Sequence, residues 1–253
     1  MGKRSGFSIN AIVLVMVLMA AIPVVASPGD TARISDSTVK VLVERELARR
    51  GLAKNEIEVA VEDHIATLSG SVSTLAEKER IAETARKAYG VSLVENNLGV
   101  RVAGDKDIAE AVRKSIVTHP YYGAFDWIEA QVNDGMVTLA GSVREPLRKS
   151  EFENRVMNIA GVSKISNEIK VLPLSTYDDE IRLRALRTIY GSSTLSRYAL
   201  GANRPIHIIV ENGRVVLKGV VANTMDRQVA ESLVRTNLLA FDVRNELQVE
   251  MAN

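Results

Sequence analysis

One twelve-residue pattern is written three times in this chain, and that recurrence limits the possible folds more than any other feature. Val61-Glu-Asp-His-Ile-Ala-Thr-Leu-Ser-Gly-Ser-Val72 returns as Val132-Asn-Asp-Gly-Met-Val-Thr-Leu-Ala-Gly-Ser-Val143, and again as Val210-Glu-Asn-Gly-Arg-Val-Val-Leu-Lys-Gly-Val-Val221. A second landmark keeps the same register: Asn96, Asn167 and Asn245 follow Gly70, Gly141 and Gly219 at one constant offset. Self-similarity of this kind means one small unit repeated, not one large core. Aromatic residues make up only 4% of the chain, so each core must be built from aliphatic side chains.

Every copy reads alike. A first strand alternates (Ile57, Val59, Val61; Ile128, Ala130, Val132; Ile206, Ile208, Val210) as a half-buried strand does. Asp134-Gly135 and Asn212-Gly213 then supply pairs that accept positive φ in a tight hairpin. In the first copy His64 stands where the glycine is, which predicts a strained turn or one of another type. The second strand carries Gly70, Gly141 or Gly219 on its apolar face, where glycine marks a bulge or close backbone approach. A helix crossing the sheet at that point is the expected cause. Helical spacing follows (Ile81, Ala85, Ala88; Phe152, Val156, Ile159; Ala230, Leu233, Val234), and then a last strand holding the recurrent asparagine. That amide is expected to point to the apolar face and to be hydrogen-bonded there. A further amphipathic helix precedes each first strand (Val39, Val43, Leu47; Ile108, Val112, Ile116; Ile181, Ala185, Ile189).

The expected architecture is therefore α+β: three tandem αββαβ domains over residues 35–103, 105–173 and 176–251, each a three-stranded mixed sheet with two helices on one face. Units of roughly 70 residues lie near the lower limit for independent folding, so contacts between neighbours are expected to help.

Residues 1–26 read as an address. Lys3 and Arg4 precede an apolar run from Ala11 to Ile22; Pro23 ends it, and Val24-Val25-Ala26 places small residues before Ser27. That order is a secretory signal cleaved near Ala26/Ser27, in preference to a retained anchor. The formal net charge of +1 becomes −1 once Lys3 and Arg4 are removed. A near-neutral chain has no electrostatic footprint for nucleic acid, nor a polybasic cluster for anionic lipid. With no cysteine, disulfides, thiolate metal sites, a cysteine nucleophile and a lipidated N-terminus are all excluded.

The recurring pattern Val-x-x-Gly-x-Val-x-Leu-x-Gly-x-Val, followed by a helix and Gly-Val-x-x-Val-x-Asn-x-Leu/Ile, resembles the BON domain (bacterial OsmY and nodulation). Gly90-Val91, Gly161-Val162 and the three asparagines carry its second half, while the third copy has Leu239-Ala240 in place of Gly-Val. The resemblance covers roughly residues 35–250. It implies a periplasmic or outer-membrane-associated protein linked to envelope integrity, osmotic stress and phospholipid surfaces, without shared catalytic residues.

The residues themselves supply no reaction centre. His64, His119 and His207 fall at non-equivalent places, and neither a nucleophile elbow, a phosphate loop nor a dinucleotide fingerprint occurs. No catalytic residue, metal or cofactor is assigned. One stretch is out of character: Tyr121, Tyr122, Phe125 and the only tryptophan, Trp127, crowd the approach to the second copy's first strand. Such aromatics favour a membrane boundary or a protein interface, with Leu195 and Tyr198 marking a second candidate surface. The preferred plainer reading is that Phe125 and Trp127 plug the core of their own domain. The expected partners are a phospholipid surface or envelope proteins. The alternative is a soluble periplasmic holdase or osmotic-stress protein.

Overall fold

The computed structural model describes residues 34–53, 56–200, 203–238 and 240–250; the segment read as a signal lies outside them. Among the described residues, no helix is long and apolar enough to cross a membrane.

The first copy runs α1 (Asp36–Arg49), β1 (Ile57–Glu62), β2 (Ile65–Val72), α2 (Leu75–Arg86) and β3 (Leu93–Val100). The second runs α3 (Asp105–Val117), β4 (Trp127–Asn133), β5 (Met136–Val143), α4 (Pro146–Met157) and a last strand in two pieces, β6 (Lys164–Asn167) and β7 (Lys170–Val171). The third repeats it as α5 (Thr176–Tyr190), β8 (Ile206–Glu211), β9 (Arg214–Val221), α6 (Thr224–Asn237), β10 (Asp242–Asn245) and β11 (Gln248–Val249), with a short 3₁₀ turn, Ser196–Ala199, before β8. In each copy the second strand is central, antiparallel to the first and parallel to the last. The architecture is the mixed α+β fold expected, three times over.

The helices begin where side chains can take up their free amides. Ser35, Thr74, Ser175 and Asn223 each accept an N-cap bond, and α4 opens on Pro146. Their apolar faces bury Val39, Val43 and Leu47 in the first copy, Ile108, Val112 and Ile116 in the second, and Ile181, Ala185 and Ile189 in the third. Each set meets the inward residues of its own central strand, such as Leu68, Leu139 and Leu217, which are fully buried.

One expectation needs correction. The strand glycines are not overlain by a helix. Gly70, Gly141 and Gly219 hold φ of +117°, +116° and +117°. A Cβ there would fall 1.8, 2.1 or 1.9 Å from the backbone carbonyl oxygen of Glu56, Trp127 or Pro205 at the adjoining first strand. The constraint is strand against strand, made tighter by a φ that L-residues rarely adopt. At the first hairpin the strained alternative holds: His64 adopts the left-handed conformation, Asp63 and His64 having φ of 48° and 63°, beside 50° and 74° for Asp134-Gly135 and 51° and 74° for Asn212-Gly213.

That conformation is held by an aspartate at the start of each copy's first helix. Both turn amides donate to Asp36 in the first copy, to Asp105 in the second and to Asp178 in the third, at 2.7–3.0 Å. The asparagines do comparable work at the other side of the sheet. The Oδ1 of Asn96, Asn167 and Asn245 accepts the amide two residues on, and the Nδ2 donates to the helix carbonyl of Lys78, Lys149 or Arg227. Each therefore ties the last strand to the second helix, a structural use of a half-buried amide.

Candidate functional site

The aromatic stretch of the second copy lies against the third copy. After α3 ends, the chain turns through His119, Tyr122 and Asp126, all buried. Tyr122 belongs to the second core, while Phe125 packs against the third core. Phe125 thus crosses to the neighbour instead of plugging its own domain, which corrects the plainer expectation. The backbone crosses too: the Ile208 amide on the outer edge of β8 donates to the Ala124 carbonyl. An edge strand with unpaired amides is a liability, and here the preceding copy covers it. Five successive residues of β8, Ile206 to Val210, are buried, whereas β1 exposes Glu58, Ala60 and Glu62.

Rings run through this joint in sequence. His119 sits 4.7 Å from Phe152, Phe152 5.9 Å from Tyr122, Tyr122 5.1 Å from His207, and His207 5.0 Å from Trp127, as ring centroids. His207 Nδ1 lies 3.1 Å from the Gly123 carbonyl; that oxygen can only accept, so Nδ1 holds the proton. His119 Nδ1 instead accepts the Tyr121 amide and leaves Nε2 facing Glu151 at 3.5 Å. Burial lowers the pKa of both histidines, with Arg155 adding to the effect at His119. Burial also raises the Asp126 carboxyl, against the backbone amides of Arg144 and Gly123 that donate to it. Around the rim, Trp127 Nε1 donates to Glu129, Lys218 pairs with Glu129 at 3.4 Å, and Arg144 pairs with Asp179 at 3.2 Å.

Beside these rings opens a groove of about 620 Å³. Its floor is Ile116, Val117, Tyr122, Trp127, Ile128 and Ala130, and its far wall is Pro205, His207 and Val220 of the third copy. Arg113 and Arg204 stand at its mouth, both exposed. A concave, mainly apolar space with a few convergent polar groups is the usual form of a binding site.

The other aromatic candidates are dispersed. Tyr121 is the outward-facing one, 64% exposed, with the Arg148 guanidinium 4.2 Å over its ring. Leu195 is buried in the third core and faces no partner. Tyr198 donates to the buried carboxylate of Asp226 and receives the Ala222 amide, which fastens the 3₁₀ turn to the start of α6. Sequence reasoning missed His207 and Asp126 as members of the joint, and the aspartates Asp36, Asp105 and Asp178. Among the described residues, no group of three or more histidine, aspartate or glutamate side chains is placed to hold a metal ion.

The BON domain family model matches residues 35–102, 104–173 and 194–251, well over half of the chain. The chain belongs to the BON-domain family. It is similar to osmotically-inducible protein Y of Escherichia coli (strain K12), 24% identical over 147 residues, covering 54% of this chain and 73% of that protein. Among solved structures it matches the C-terminal domain of CdsD, a structural protein of the type III secretion system of Chlamydia trachomatis. That match has 13% identity, spans 86% of this chain and all of that one, and has a TM-score of 0.26. The periplasmic domain of PrgH, a type III secretion inner-membrane protein from S. typhimurium, matches at 14% identity over 81% of this chain and 99% of that one, with a TM-score of 0.21. Scores that low carry no argument about this chain's assembly. BON-domain membership accounts for the threefold glycine and asparagine register.

Proposed function

We propose that this BON-domain protein is a non-enzymatic component of the bacterial envelope, exported to the periplasm, where it binds phospholipid surfaces or membrane-associated partners in a stress-related role. Family membership and the likeness to an osmotically inducible protein support the setting. The observation that carries binding is the exposed side of the second copy. Tyr121 projects beneath Arg148, and the neighbouring Leu147 of α4 is also 64% exposed. An amphipathic aromatic and an aliphatic side chain suit a headgroup boundary, with Arg148, itself paired with Glu151 at 2.5 Å, holding the Tyr121 ring in place. Tyr122 and Trp127 contribute by holding the joint.

Flotation of the exported chain with liposomes of anionic and zwitterionic phospholipid tests this. Binding should be retained on anionic vesicles and fall several-fold in Tyr121→Ser combined with Leu147→Ser, with unchanged melting. Binding indifferent to both substitutions would remove this face, and no flotation with any lipid would remove the lipid reading. Suppression of client aggregation without flotation would favour a holdase.

A further inference from the structure

The three copies present one position in three states: the groove between the first helix and the outer edge of the first strand. In the third copy the edge amide of Ile208 is already taken by the Ala124 carbonyl, and the next residue, Phe125, packs on the core. Arg182 of α5 is buried there as well. In the first copy the corresponding surface is charged, lined by Lys40, Glu44, Glu56 and Glu58. In the second copy the places of Lys40 and Arg182 are held by Ala109, and the groove stands open.

The edge in that groove has a free donor. The Ile128 amide points outward to the Tyr122 hydroxyl at 3.5 Å, as the Ile206 amide does to Tyr190 at 3.3 Å. Residues two apart on a strand face the same way, so the Ala130 amide points outward as its counterpart Ile208 does. In the third copy that amide has a carbonyl from a tight turn, Gly123 to Asp126, closed by the Asp126 amide on the Gly123 carbonyl at 3.2 Å.

We infer that the α3–β4 groove of the second copy binds a short turn-forming peptide segment of another protein, one with an apolar or aromatic anchor next to an acidic side chain. The segment's carbonyl would accept from Ala130, one main-chain bond to a strand edge as at Ile208, and its anchor would enter the apolar floor. The acidic preference follows from the mouth. Among the described residues neither Arg113 nor Arg204 is in an ion pair; Arg204 only stacks over Tyr190, at 5.2 Å. The chain carries a partial template in the Gly123–Asp126 turn, where Ala124 supplies the carbonyl and Phe125 the anchor, while the Asp126 carboxylate turns back to the amides of Gly123 and Arg144. This does not rest on the membrane reading, because Tyr121 and Leu147 are not among the groove's lining residues.

The probe is the peptide acetyl-Gly-Ala-Phe-Asp-amide, titrated into the full chain lacking its export segment and followed by amide chemical shifts. Saturable shifts are expected at Ala109, Arg113, Ile128 and Ala130, with Ala130 moving downfield as it gains a bond. Ala109→Leu, at an exposed helix position, should weaken binding at least tenfold by filling the groove. Arg113→Glu should weaken it several-fold, and a lysine-for-aspartate peptide should restore that loss. Retained dispersion in both variants separates lost binding from lost folding. Unchanged affinity in Ala109→Leu, shifts confined elsewhere, or no binding at millimolar peptide would overturn the inference. So would lysophosphatidylglycerol below its micellar concentration shifting those amides while the peptide does not.

Discussion

The two joints of this molecule are built on different principles. Between the first and second copies the contact is small and set by backbone: the Gly161 amide donates to the Ser73 carbonyl, and Ala103 lies where a Cβ on Gly161 would stand. Between the second and third, a buried set of rings and titratable groups packs beside β8, and the Ala124 carbonyl takes its Ile208 amide. Small αββαβ units leave the outer edges of the first and last strands unpaired, and repetition alone does not cure it. The third copy's edge is met at Ile206 and Val210 by its own Tyr190 and Arg182 and at Ile208 by its predecessor; the first exposes charge along its own edge strand, through Glu56, Glu58 and Glu62. Tandem repeats can therefore share a fold while differing in which edges remain available.

Breaking the second joint should have the largest consequence. Tyr122→Ala removes a buried ring from the second core and from its contact with His207, and is expected to cost about 3–5 kcal/mol. Urea unfolding followed by Trp127 fluorescence would measure it, and a change under 1 kcal/mol would deny the joint its weight. Gly161→Ala acts on the first joint alone. Its φ of +87° and the 2.5 Å clash with Ala103 Cβ predict a loss of about 1–3 kcal/mol, confined to the first and second copies in residue-resolved hydrogen exchange.

Acid should separate the joints as well. A histidine whose folded pKa is depressed disfavours protonation in the folded state, so its contribution is full above the unfolded value of 6.5 and declines as the pH falls below it. His207 and His119 both act in that sense. Asp126, raised above 3.8, acts oppositely: its ionised form carries a cost that is relieved as the pH falls through its raised value. The second joint should therefore weaken from about pH 6.5 downward, with Asp126 offsetting part of the loss at lower pH, while Gly161 and its partners stay unaffected. His207→Phe should flatten the profile seen in Trp127 fluorescence; an unchanged profile would assign the titration elsewhere. The smallest effect belongs to Lys218→Ala. Its bridges to Glu129 and Glu246 are at the surface, so a loss below about 1 kcal/mol, shrinking with salt, is expected by thermal melting.

The sequence made the repeated unit legible because its signals are local. Period-two strands, Asp134-Gly135 and Asn212-Gly213 turns, and the glycine and asparagine landmarks all sit at fixed offsets. Asp36, Asp105 and Asp178 each stand three residues before Val39, Ile108 and Ile181; they escaped because the stretch from first helix to hairpin turn differs in length among the copies, so no constant offset ties each aspartate to the turn it binds. The destination of Phe125 escaped for another reason. Whether an aromatic fills its own core or a neighbour's is decided by how two folded units meet, and no periodicity records that. His64 shows a third limit: its carboxylate partner Asp36 overrides the preference for glycine at the turn.

Native-state hydrogen exchange at two equivalent amides addresses the central claim most directly. If the second copy completes the third copy's edge, the Ile208 amide should be protected by several orders of magnitude relative to Ala130, its counterpart on β4. Equal, rapid exchange at both positions would mean that the Ala124–Ile208 bond does not persist in solution and that the two copies stand apart.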